Sequence, residues 1–301
     1  MPSTTTKILE QPKGSKMLPT VPTKHQMLFE DPDIVQGQLR NCWLTSALLA
    51  LMQSEENFNF VINPTLNNKL DNENYIGKFI FNFTFKEDIV REVIIDDLLP
   101  LKNGQLLFMH SSDGIIFWAA LLEKAFAKLY GSYAALENTN HYYRALRLLI
   151  GPKTSFKLYM LRDITRSQLI HLFSERISDV RQCRFCCTAH AGRGILVMRS
   201  FSIIDFIEDR RRNNYLIKIR NPWSRITSTN TKSNSIDKNS PKWEYVSPRF
   251  RGIVQKIENG SFILALDSFL SFFNYIEWWQ NYKKKKNIKN DEKKKLEIRA
   301  N

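Results

Sequence analysis

A chain of 301 residues that is 43% apolar and 12% aromatic has room for two lobes and too many core-forming side chains to be disordered throughout. Its formal net charge of +14 invites a nucleic-acid or acidic-membrane partner, but nine Lys or Arg against three acids fall within Lys283–Asn301, so +6 of the excess belongs to one tail. No apolar run reaches the roughly 18 residues of a membrane-spanning helix, and none is expected.

In chain order, residues 1–27 are rich in Thr, Pro and Lys and lack the apolar stretch of a secretory signal, which predicts a flexible arm. A first helix is expected after Asn41, a suitable N-cap, because Leu44, Ala47, Leu48, Leu51 and Met52 recur at three-four spacing. From Gly77 to Asp97 the period becomes two: Phe79, Phe81, Phe83 and Phe85 alternate with other residues, Lys86-Glu87-Asp88 turns the chain, and Val90 to Ile95 returns, a β-hairpin. A second helix follows over about Phe117–Tyr130. After Gly151-Pro152 the segments read mainly as strands, at Gly194–Ile204, Tyr215–Arg220 and Ser261–Leu266, with a short helix around Asp267–Phe273. The expected architecture is α+β, with a helix-rich first lobe over 28–152, a sheet-rich second lobe over 153–282 and a basic tail over 283–301.

Four cysteines, Cys42, Cys183, Cys186 and Cys187, are few for a disulfide scaffold, so a reducing, intracellular and cytoplasmic setting is expected. Cys183, Cys186 and His190 lack a fourth zinc ligand and read as strand or core residues. Cys42 is different. At the first position of a helix it faces unpaired backbone N–H groups and the positive end of the helix dipole, an environment suited to an attacking sulfur. Gln36, six residues upstream and followed by Gly37, can reach back and donate a hydrogen bond to an oxyanion forming beside it.

The run Gln36-Gly37-Gln38-Leu39-Arg40-Asn41-Cys42-Trp43 resembles the nucleophile motif of the calpain family, papain-like cysteine peptidases. Ile95-Asp96-Asp97-Leu98-Leu99-Pro100, Leu106-Leu107-Phe108 before His110-Ser111, and Phe117-Trp118 followed by Ala120-Leu121-Leu122-Glu123-Lys124-Ala125 and Gly131-Ser132-Tyr133 are similar to further family motifs in order. In the second half, Ile219-Arg220-Asn221-Pro222-Trp223 resembles the segment with the catalytic Asn, and Trp243 and Glu258-Asn259-Gly260-Ser261-Phe262 follow. The resemblance covers about residues 28–280. It implies a two-lobed protease core, with Cys42 as nucleophile, Gln36 as oxyanion donor and Asn221 as the residue that orients a catalytic His.

That His has no counterpart. Where the family reads Gly-His-Ala-Tyr-Ser-Val, this chain reads Met198-Arg199-Ser200-Phe201-Ser202-Ile203, which sets Arg199, or Ser200 after a one-residue shift, at its place. Arginine stays protonated and has no acceptor site, so it cannot take the thiol proton or give one to a leaving amine. His190, nine residues earlier, would need a rerouted strand to substitute.

No cofactor is required by the residues themselves. Calcium enters only through the resemblance, and its ligand positions are depleted: Asp33 and Asp237 match one acidic ligand each, whereas Arg147, Asn259 and Ser261 stand where the family has acids. Three functions follow as expectations. The first is a calpain-like core impaired in catalysis that binds peptide or protein in its cleft. The second is an active calcium-dependent cysteine endopeptidase. The third is a basic module whose Lys283–Arg299 tail makes weak, salt-sensitive contact with nucleic acid or acidic lipid.

Overall fold

Helix α1 (Cys42–Leu51) is buried along its whole length. Trp43, Leu44, Ala47, Leu48 and Leu51 enter the first-lobe core, and the helix also packs against two strands of the second lobe, Cys183–Ala189 and Ser200–Asp209. A helix buried all round lies between two layers, and α1 is the element shared by both lobes. The structure is a computed structural model and describes residues 15–17, 34–52, 58, 61–62, 77–85, 89–111, 117–138, 142–151, 154–176, 183–189, 200–210, 213–220, 222 and 261–281.

The first lobe contains strands β1 (Ser15–Met17), β2 (Ile34–Val35), β3 (Lys78–Thr84), β4 (Val90–Asp96), β5 (Leu98–Lys102), β6 (Gln105–Leu106) and β7 (His110–Ser111), with helices α2 (Trp118–Tyr130) and α3 (Tyr142–Ile150). Strands β3 and β4 form the hairpin expected from the Phe alternation, in a register running from Lys78 opposite Asp96 to Thr84 opposite Val90. Phe79, Phe81 and Phe83 point into the core. There Phe83 meets Phe126 of α2 edge-on at 4.9 Å between ring centroids, a favourable aromatic geometry. Helix α2 ends at Gly131, whose φ of +100° is the left-handed conformation that stops a helix. Within the arm read over residues 1–27, β1 pairs with β5, Ser15 opposite Pro100.

The second lobe is built on a six-stranded antiparallel sheet in the order β12-β11-β10-β9-β13-β8. Its strands are β8 (Thr154–Met160), β9 (Cys183–Ala189), β10 (Ser200–Asp209), β11 (Asn214–Arg220), β12 (Ser261–Ala265) and β13 (Phe273–Asn281). Helix α4 (Arg166–Arg176) packs on β10, and α5 (Leu266–Phe272) joins β12 to β13. Phe201, Phe206, Phe173, Phe269 and Phe273 form an aromatic core on one side of the sheet. The two lobes are therefore a mixed, helix-rich unit and a sheet-rich unit, as the resemblance implies for this fold.

Two reciprocal hydrogen bonds join the lobes at α1. Ser46 Oγ donates to the Ser200 carbonyl at 2.9 Å, and Ser202 Oγ donates to the Ser46 carbonyl at 2.7 Å. Ser202 is fully buried, so its hydroxyl needs the acceptor that Ser46 supplies. Among the described residues no helix is long and apolar enough to cross a membrane.

Candidate active site

The loop before Cys42 is fixed by backbone geometry. Strand β2 pairs with β7, Val35 opposite His110, and hands the chain to Gln36 and Gly37. Gly37 has φ of +73°, and a Cβ there would lie 2.3 Å from the Phe108 carbonyl oxygen. Only glycine fits both the left-handed backbone and that approach. On either side, Gln38 N–H donates to the Leu107 carbonyl at 3.1 Å and Gln36 N–H donates to the Pro222 carbonyl at 3.1 Å. The second of these bonds crosses to the other lobe.

Gln36 is 1% exposed. Its side-chain amide donates to the Leu39 carbonyl, and its Oε1 is buried with no hydrogen-bond partner among the described residues. An amide nitrogen carries two protons, so the Leu39 bond commits one of them. The chain then passes Arg40, whose N–H donates to Glu137 at 3.0 Å, and enters α1 at Cys42.

Asn41 occupies the N-cap position, but its side chain does not cap the helix. Its amide lies 2.6 Å from Glu123 Oε1, while Glu123 Oε2 accepts the Met109 N–H at 2.8 Å. Glu123 is thus a buried bracket between the residue preceding Cys42 and the segment that abuts Gly37. Burial pushes its carboxyl up to about 8, against the opposing effect of the two hydrogen bonds. Asn41 Nδ2 is the donor to Glu123 Oε1, and Asn41 Oδ1 has no hydrogen-bond partner among the described residues.

This burial has a measurable consequence. Native Glu123 keeps its proton up to about pH 8, while an unfolded Glu loses it near 4.5, so unfolding releases a proton throughout that interval. The group favours the native state most below pH 4.5. Stability then falls by about 1.4 kcal/mol per pH unit towards 8 and levels off above. Urea midpoints measured across this range are expected to show a flatter decline in Glu123→Gln. Parallel profiles would assign the titration elsewhere.

Trp43 anchors the next turn: its Nε1 donates to the Leu136 carbonyl at 2.8 Å, and its ring meets Phe126 and Tyr130, each at 6.1 Å. Lys124, one residue beyond the bracket, is bonded to Asp96 Oδ1 and to the Leu98 carbonyl, and so ties α2 to the Asp96-Asp97 turn.

Cys42 is a free thiol, 8% exposed. The Ser200 backbone N–H, at the start of β10, donates to its Sγ at 3.5 Å. This is a contact between lobes made by a backbone group that no residue-type search would single out. Among the described histidines, His110 Nδ1 is bonded to the Phe108 carbonyl at 2.6 Å and His171 faces Glu175 on α4. Neither is hydrogen-bonded to Cys42.

Of the residues singled out in the sequence, the structure brings Gln36 and Cys42 together on one loop and helix start. Arg199, Asn221, Asp33, Asp237, His190 and the Lys283–Arg299 tail lie outside the described residues. Both neighbours of Asn221 are placed: Arg220 ends β11, and Pro222 accepts the Gln36 N–H. Sequence reading missed Glu123 as a structural bracket, although an acid inside the apolar run Trp118–Ala127 is its signal.

Comparison with known proteins agrees with this arrangement. Residues 19–280 match the family model described as calpain family cysteine protease. Calpain-8 of Mus musculus is 32% identical over 256 residues, covering 81% of this chain and 35% of that protein. The calpain-2 catalytic subunit of Bos taurus is 32% identical over 260 residues, with the same two coverages. The chain spans about a third of the length of the curated relatives it matches. A family match over most of the chain, on a two-lobed fold with a cysteine at the start of the shared helix, establishes that the chain belongs to the calpain family of cysteine proteases.

Proposed function

We propose that this calpain-type protease domain binds extended peptide in its cleft and does not complete peptide hydrolysis. The observation that carries the reading is the Ser200 N–H at the Cys42 sulfur. Ser200 follows Arg199 in the sequence, and these are the two residues that the resemblance sets where the family has its histidine.

Amide hydrolysis by a thiol needs a group that accepts the sulfur proton and returns it to the departing amine. A guanidinium attracts an anion but cannot carry that proton through the cycle. What remains is Gln36, with one amide proton to offer an oxyanion, and a sulfur already receiving a backbone N–H. Peptide can be held there without a route to turnover. A reducing compartment suits the free thiol.

The lining around Arg147 does not fit calcium. Arg147, where the resemblance calls for an acidic ligand, is exposed and lines a cavity with Arg91 and Arg144. A hard dication requires several oxygen ligands, and three guanidinium groups repel it. No step of the reading depends on calcium.

Fluorescein-labelled denatured casein incubated with the chain, with and without calcium, tests the proposal. Saturable binding with the casein left intact is expected. Fragments that vanish in Cys42→Ala would overturn the inactive half of the reading, and absence of binding would overturn the other half.

A further inference from the structure

The end of the β3–β4 hairpin meets helices α2 and α3 around a cavity of about 550 Å³ that Cys42 does not line. Three cations line it: Arg91 from β4, and Arg144 and Arg147 from α3. Arg144 and Arg147 are three residues apart on one helix and so share a face. Arg91 is held in place by cation–π contact, its guanidinium carbon 5.2 Å from the Phe85 ring centroid. Leu129, Leu148 and Tyr130 supply an apolar and aromatic wall.

Among the described residues no acid lines this cavity, and none of the three arginines is paired with a carboxylate. The cavity beside α4 differs in this respect. There Arg166 is bonded to Asp267 at 3.1 Å and Arg210 to Glu208 at 2.6 Å, so its cations are neutralised within the fold. Three like charges around one concavity, unpaired among the described residues, repel each other in a chain already at +14. An anionic ligand removes that repulsion.

The chemistry of the lining narrows the ligand. A carboxylate brings one charge and two acceptor oxygens. A phosphate monoester brings a charge of about −1.5 to −2 and three strong acceptors, a better match to three guanidinium forks. The apolar wall beside them accepts an aromatic body. We infer that this cavity binds a phosphate monoester carried on an aromatic ring, as a phosphotyrosine side chain presents it on a peptide.

Phenyl phosphate titrated into the full chain by calorimetry is the test, with phenylacetate as the carboxylate comparison. Saturable one-to-one binding is expected for phenyl phosphate, about tenfold tighter than for phenylacetate. It should weaken as pH falls through about 6, where the phosphate takes up its second proton. The double substitution Arg144→Gln with Arg147→Gln should weaken it about tenfold or more, and Arg91→Gln alone should weaken it measurably. Substituting Lys284, Lys285 and Lys286 by Gln in the tail should leave it within about twofold, because the three arginines, and not the net charge of the chain, make the site. Equal affinity in the arginine variants, a comparable loss in the tail variant, or no saturable binding would overturn the proposal. Binding to phosphatidic acid vesicles without binding to phenyl phosphate would also overturn it, since the charge would then be reading a lipid surface.

Discussion

Gly37→Ala is expected to destabilise the chain by about 3–5 kcal/mol and to remove any reactivity of the Cys42 site. An added methyl would lie 2.3, 2.4 and 2.7 Å from the oxygen, carbonyl carbon and Cα of Phe108. These are backbone atoms, so no side-chain rotation relieves the clash. The Phe108 segment is also pinned on both sides, by the Gln38–Leu107 bond and by the Met109 N–H on buried Glu123. Moving it breaks at least one buried hydrogen bond, and an unsatisfied buried group costs about 1–3 kcal/mol. The left-handed backbone, at φ of +73°, adds about 1–2 kcal/mol for any residue with a Cβ.

Gly104→Ala isolates the last contribution. Gly104 has φ of +80° in the two-residue turn between β5 and β6, but nothing lies within 4 Å of its added Cβ. Its loss should be about 1 kcal/mol. In a chain of this size 1 kcal/mol moves the thermal midpoint by about 2–4 °C, so the two variants should separate by roughly 5 °C or more. Equal shifts would mean that Phe108 yields freely and that the loop before Cys42 is not rigid.

Much of the fold could be read from periodicity where one face of an element is buried. The β3–β4 hairpin follows from Phe alternation because β3 presents one face to the core. Helix α2 begins at Trp118, one residue from its expected start. The same rule explains what was not legible. Helix α4, Arg166–Arg176, has few apolar residues and buries only Leu169, Leu172 and Phe173 deeply, so it shows little amphipathic contrast. Strand β13 lies between β9 and β8 and follows α5 without a turn, and buried Glu277 interrupts its apolar pattern. The Asn103-Gly104 turn did carry a strong local hairpin signal, which the motif reading of that region did not use.

For the site, residue type and local order led to Cys42 and Gln36, because a nucleophile at a helix start and a Gly-assisted turn are local features. The partners that hold them are distant in sequence. Glu123 meets Asn41 across 82 residues and Ser200 meets Cys42 across 158. One acts through a buried carboxyl and the other through a backbone amide, and neither choice is encoded by a spacing rule. Asn41 shows the limit of local rules in the other direction. Its type suits helix capping, yet its side chain is bonded to buried Glu123, 82 residues away, instead of to the helix N-terminus.

The largest expected effect is a gain. On the proposal that Arg199 stands where the resemblance calls for the histidine and so stops turnover, Arg199→His should raise amide hydrolysis of a fluorogenic peptide by about a hundredfold or more. Loss of a catalytic triad member costs on the order of 10⁴–10⁶ in turnover, and a single restored imidazole recovers only part of that. The gain should appear without calcium and disappear when Cys42→Ala is added, which separates restored nucleophilic chemistry from contaminating protease. The unaltered chain should stay at the rate of its own Cys42→Ala variant. Hydrolysis by the unaltered chain that depends on Cys42 and is unchanged by Arg199→His would contradict the account.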